Sequence, residues 1–120
     1  MKNILKLLTI LCIHPATLFA QDAGFIKGVV VDTGTNMKLV NASVAIIRAK
    51  DSILVKFTRT GINGEIELNN LSFGKMLMLV HYPGYARYLE SFTLDSANST
   101  KDFNRIRLTL KADLLKEVIT

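Results

Sequence analysis

From residue 25 onward, hydrophobic residues recur mostly at every second position, in short runs broken by Gly, Pro, Asn, Asp and Ser. That period belongs to half-buried β-strands, whose successive side chains point to opposite faces. Phe25–Asp32 reads as a first strand, ended by Asp32-Thr33-Gly34-Thr35-Asn36. Ala42–Arg48 follows, with Val44 and Ile46 on one face. In Ile53–Thr58, the residues Ile53, Val55 and Phe57 lie opposite Leu54, Lys56 and Thr58. Asn63-Gly64 predicts a type I′ hairpin turn, because both residues accept left-handed conformations. Beyond it Ile66 and Leu68 point one way and Glu65, Glu67 and Asn69 the other.

Met76–Tyr82 is an almost unbroken apolar run, too short for a buried helix and suited to a central strand covered on both faces. Pro83-Gly84 closes it, since proline cannot donate to a ladder and glycine accepts a positive φ. Tyr88–Leu94 sets Tyr88, Glu90, Phe92 and Leu94 on one face, where Glu90 is an irregularity. After the polar connection Asp95–Lys101, Ile106, Leu108 and Leu110 alternate with Arg105, Arg107, Thr109 and Lys111. About seven strands with frequent turns predict an all-β Greek-key sandwich in which each sheet buries one face. Phe57, Leu77, Leu79, Ile106 and Leu108 are expected in its core. Residues 112–120, with Leu114, Leu115, Val118 and Ile119, read as an extended linker too short to pack another layer, with Asp113–Thr120 mobile in an isolated domain.

Residues 1–20 have the anatomy of a secretory signal peptide: Lys2 and Lys6, an apolar core over Ile4–Ile13, a break at His14-Pro15, and Ala20 before the expected cut. Gln21 would then be the mature N-terminus. The only cysteine, Cys12, sits inside that apolar core behind Leu11, which is not the lipoprotein pattern. The mature domain therefore has neither a disulfide nor a thiolate metal site and relies on its hydrophobic core.

The formal charge of +5 overstates the basicity. Without Lys2 and Lys6 the balance is thirteen basic to ten acidic residues, spread along the chain rather than clustered with stacking aromatics. Nucleic acid is thus not an expected partner. His81, inside an apolar strand, is the mature chain's single histidine, too few for a three-ligand zinc site. The serines lack a nucleophile elbow, Glu65 and Glu67 read as solvated charges beside a turn, and Gly61-x-x-Gly64 lacks the lysine and helix of a phosphate loop. No catalytic, cofactor-binding or metal residue is assigned, no cofactor is expected, and the domain reads as non-enzymatic. Tyr82, Tyr85 and Tyr88 cluster around Pro83-Gly84 and could serve either corner packing or a carbohydrate platform.

Two separated motifs resemble the carboxypeptidase-regulatory-like (transthyretin-like, prealbumin-type) β-sandwich. The first is Gly28-x-Val30-x-Asp32 with Leu39-x-x-Ala42-x-Val44. The second is Gly64-x-Ile66-x-Leu68, Leu71-x-x-Gly74-Lys75 and Tyr82-x-Gly84-Tyr85. The chain departs from the family pattern at Gly61, where an acidic residue often follows the threonine, and at Lys38, where proline is common. The resemblance spans residues 24–111. It implies the N-terminal accessory or docking domain of a TonB-dependent receptor or another outer-membrane β-barrel protein, a truncated one included. Such a domain is exported, periplasmic and associated with the outer membrane, with a receptor plug, barrel or other envelope protein as partner. Leu115-Lys116-Glu117-Val118-Ile119-Thr120 resembles the approach to such a plug. The alternative is a stand-alone secreted carbohydrate-binding module, with carbohydrate as the partner.

Overall fold

Seven strands and one C-terminal helix make up the computed structural model, which describes residues 23–119, with side chains through residue 115. The signal-peptide reading, Cys12 and the cut before Gln21 lie outside the described residues. The strands are β1 (Gly24–Asp32), β2 (Ser43–Arg48), β3 (Leu54–Arg59), β4 (Glu65–Leu71), β5 (Gly74–His81), β6 (Tyr88–Leu94) and β7 (Thr100–Leu108). They form a three-stranded sheet, β4-β1-β7, and a four-stranded sheet, β3-β2-β5-β6, packed as a sandwich. The first and last strands run parallel, and the other pairs are antiparallel.

The core lies between the sheets. Ile26, Val30, Ile66, Leu68, Ile106 and Leu108 come from one side, and Val44, Ile46, Met76, Met78, Val80 and Phe92 from the other. Gly28 faces inward on β1, where a Cβ would lie 2.9 Å from Ile106 Cδ1 and 3.2 Å from Phe103 Cβ. Its lack of a side chain lets β7 close against β1. Ile106 and Leu108 are buried as their alternation predicts.

Other expectations are corrected. Leu77 and Leu79 face outward and are half-buried, while Met76, Met78 and Val80 fill the core. The run is apolar at both parities, so alternation is silent on which side turns inward. Pairing decides it: Val80 lies opposite Val44 and Met78 opposite Ile46, and both partners are fully buried. Phe57 is also outside, 53% exposed, because the β2–β3 ladder shifts register between Ile46 and Ile47. That bulge absorbs Val55 and turns Lys56 toward the sandwich edge, where its Nζ donates to the Asn69 carbonyl at 2.7 Å.

The Asn63-Gly64 turn is not type I′, for only Gly64 has positive φ. Gly64 N–H donates to Gly61 O and Gly61 N–H to Glu65 O, the pattern of a three-residue turn with a glycine bulge. It carries the chain from one sheet to the other rather than joining paired strands. The tail is likewise not extended: Lys111–Ile119 is helix α1. Ala, Leu, Lys and Glu there are good helix formers, and Asp113 sits in the first turn, where the helix dipole favours an acid.

The β5 register generates a direct test. Met78→Ala should cost about 2–5 kcal/mol in urea denaturation, while Leu79→Ala should cost less than about 1 kcal/mol. Equal losses would contradict the assignment of faces.

Candidate functional site

The most densely bonded polar group is Asp32, at the end of β1. Its Oδ2 accepts the Tyr85 hydroxyl proton at 2.6 Å. Its Oδ1 accepts Gly34 N–H at 2.7 Å, Thr35 N–H at 2.8 Å and the Thr35 hydroxyl at 3.2 Å. The Tyr85 hydrogen bond, followed by the Thr35 amide, holds the Asp32 carboxyl below its ordinary range, with burial opposing. The same bond, reinforced by burial and by the Asp32 charge, pushes the Tyr85 phenol up to about 12. Both carboxylate oxygens are therefore occupied within the fold.

This contact joins the two halves of the sequence signature, Asp32 from the first motif and Tyr85 from the second. It also anchors the chain exit: Tyr85 bridges to Leu110, and Lys111 N–H donates to Gly84 O. Thr60, the other buried polar side chain, donates to Leu39 O at 2.6 Å and accepts from Ala42 N–H at 2.7 Å. These groups staple loops together.

His81 is exposed at the end of β5, opposite Ser43. Among the described residues no three His, Cys, Asp or Glu side chains gather as a metal site. Glu65 accepts Asn63 N–H at 2.8 Å and so caps its turn, while Glu67 is exposed. The tyrosine cluster is built for packing. The Tyr82 and Tyr85 rings meet edge to face, 5.4 Å apart at 84°, and Tyr85 is buried. Burial, followed by the Glu90 charge and a hydrogen bond from Tyr88 to Glu90, raises the Tyr88 phenol. The irregular Glu90 is a half-buried acid on the inward parity of the edge strand, opposite Met78.

The two outer sheet faces differ in chemistry. On the three-stranded sheet, exposed Lys27 lies opposite Glu67 on one side and Asp102 on the other, flanked by Glu65, Arg105 and Arg107. The Lys27–Asp102 pair spans 3.8 Å, a solvated contact of little energetic weight. On the four-stranded sheet, Phe57, Ala45, Leu79 and Leu89 form one continuous outward row across all four strands. Leu54, Ile47, Leu77 and Ser91 form the next. Leu54 is 57% and Leu89 61% exposed. The charged residues of this face are basic: Lys75 at one end and Arg59 at the other, its guanidinium carbon 5.6 Å from the centre of the Phe57 ring. The sequence pattern hides this face because it expects three of its residues, Phe57, Leu77 and Leu79, in the core. The signal was present in β5, whose apolar residues outnumber the positions one buried face can take.

At the Lys75 end a groove of about 720 Å³ opens, floored by Leu54, Val55, Phe73 and Met76 and rimmed by Arg48, Lys50 and Lys75. A smaller recess of about 440 Å³, with Arg59 and His81, lies at the other end.

No protein-family model matches the chain, and no curated protein does. Similar solved structures include the major pilin subunit BcpA of Bacillus cereus, 14% identical over 74% of this chain and 30% of that one, TM-score 0.64. The group B streptococcus pilus 2b backbone protein is 16% identical over 77% of this chain and 43% of that one, TM-score 0.58. Catechol 1,2-dioxygenase of Acinetobacter radioresistens is 15% identical over 78% and 54%, TM-score 0.55. The chain thus spans only part of each. At these identities the likeness shows the β-sandwich fold alone, and pilus proteins and an enzyme share it. Function must be argued from the site.

The Asp32–Tyr85 bond predicts a pH signature. Asp32, lowered in the fold, stabilises above its unfolded value near pH 3.9, and that contribution is lost as pH falls through the still lower folded value. Tyr85, raised to about 12, stabilises fully below its ordinary value of 10.0, and the contribution is lost as pH rises through about 12. Ultraviolet titration should show a phenol ionising near 12 that Tyr85→Phe removes. The same variant should lower the urea midpoint at neutral pH, and less so in strong acid. An unchanged midpoint at every pH would contradict the contact.

Proposed function

We propose that this chain is a non-enzymatic, exported β-sandwich that works by docking. On this reading it is the accessory domain of a TonB-dependent receptor or another outer-membrane β-barrel protein, periplasmic and held near the outer membrane. One observation carries the docking role: an outer sheet face with apolar rows from strand to strand and a basic rim, beside an opposite face of ordinary solvated charge. Exposed apolar surface of this kind marks a contact with another molecule. The buried polar side chains Asp32 and Thr60 are engaged in hydrogen bonds inside the fold, which supports a structural rather than a chemical role for them.

The signal-like residues 1–20 and the carboxypeptidase-regulatory-like motifs support the envelope setting. The packed geometry of Tyr82 and Tyr85 weighs against a carbohydrate platform, which presents open ring faces.

Cell fractionation with intact-mass analysis tests this reading. The expected result is protein beginning at Gln21, recovered with the periplasm and the outer-membrane fraction. Protein retaining Met1 in the cytoplasm would overturn it.

A further inference from the structure

We infer that the outer face of the four-stranded sheet, continued into the groove beside Lys75, docks a protein segment whose apolar side chains are flanked by carboxylates. The inference deepens the docking role proposed above and names the partner's chemistry.

The charge pattern selects that partner. No Asp or Glu occupies an outward position on β3, β2, β5 or β6, and Glu90 lies on the inward parity, opposite Met78. Arg59, Lys75 and Lys50 are exposed around this surface. Lys50 and Lys75 have no carboxylate within 4.0 Å among the described residues, whereas Arg48 is paired with Asp51 at 3.2 Å. Leu54 and Lys75 belong to both the face and the groove, so the two form one continuous surface. An acidic, apolar segment would lay its side chains on the Phe57–Leu89 row and bring its carboxylates to the lysines. Such complementarity steers association and rejects basic competitors.

A second copy fits poorly, because face-to-face packing would set Arg59 and Lys75 against a partner equally basic and free of carboxylates. A bilayer also fits poorly. Ala45, Ile47, Leu77 and Leu79 are half-buried in the low relief of a sheet, whereas lipid is entered by a protruding amphipathic element.

The test is an amide-shift titration of the isotope-labelled exported chain. The probes are a peptide of alternating leucine and glutamate, its leucine–lysine counterpart, and phosphatidylglycerol–phosphatidylcholine vesicles. The leucine–glutamate peptide should move the amides of Ala45, Ile47, Leu77, Leu79 and Leu89. Its binding should weaken about tenfold between roughly 0.05 and 0.5 M salt. Lys75→Glu and Lys50→Glu, both at exposed positions and checked for an unchanged melting curve, should each weaken it while leaving the fold intact.

No shift with that peptide, or equal shifts with the lysine peptide, would overturn the inference. Binding to the vesicles alone would do so in favour of lipid. Concentration-dependent self-association that moves the same amides would do so in favour of a second copy. Failure here leaves the export result standing, and cytoplasmic retention would leave a positive titration standing.

Discussion

The pairing of β2 with β5 is the constraint on which the rest of this structure depends. β5 carries Met76, Met78 and Val80 on one side and Leu77 and Leu79 on the other, so hydrophobicity alone would let either side face the core. Placing Val80 opposite Val44 and Met78 opposite Ile46 aligns four fully buried side chains and sends Leu77 and Leu79 outward. A one-residue slip would exchange the two sets. The methionines suit the inner side, since their unbranched thioethers fill irregular gaps between sheets. The same register lines up Phe57, Ala45, Leu79 and Leu89 on the surface. The core and the outer apolar face are two consequences of one ladder.

The Asp32–Tyr85 bond gives that ladder a frame. It ties the end of β1, in the three-stranded sheet, to the turn that follows β5, in the four-stranded one. Tyr85 and Gly84 also hold the start of α1 through Leu110 and Lys111, so the exit of the chain is fixed by the same corner. The two sequence motifs, some fifty residues apart, meet at this point (Asp32 to Tyr85, 53 positions). Their combination thus has a physical reason: the aspartate needs the tyrosine's proton, and the tyrosine needs an acceptor inside the fold.

Much of this was legible in the sequence, and the failures have identifiable causes. Strand positions followed from alternation in β4, where one parity is polar, and over Arg105–Leu108 of β7, whose start at Thr100 lies inside the stretch that reads as a polar connection. In β5 both parities are apolar, so the period carried no information about which side is buried. In β3 the bulge at Val55 reversed the parity of Phe57, and a bulge is set by the partner strand rather than by local residue choice. Asn63-Gly64 announced a turn, but not that it would cross between sheets. The tail looked extended because its apolar residues were read as a linker, although Ala112, Leu114, Leu115 and Lys116 all favour helix. Of the outer apolar face, the basic rim was visible only as scattered lysines and arginines, since cross-strand registry alone assembles it.

The claim that β5 turns its methionines inward can be read chemically, because exposed thioethers oxidise and buried ones do not. Met37 is 59% exposed, Met76 is 2% and Met78 is 0%. Treatment of the folded protein with dilute peroxide, followed by peptide mass analysis, should convert Met37 to the sulfoxide while Met76 and Met78 stay reduced until urea unfolds the domain. Oxidation of Met76 and Met78 as fast as Met37 in the folded protein would place them on the surface, put Leu77 and Leu79 in the core, and remove the apolar outer row on which the proposed docking rests.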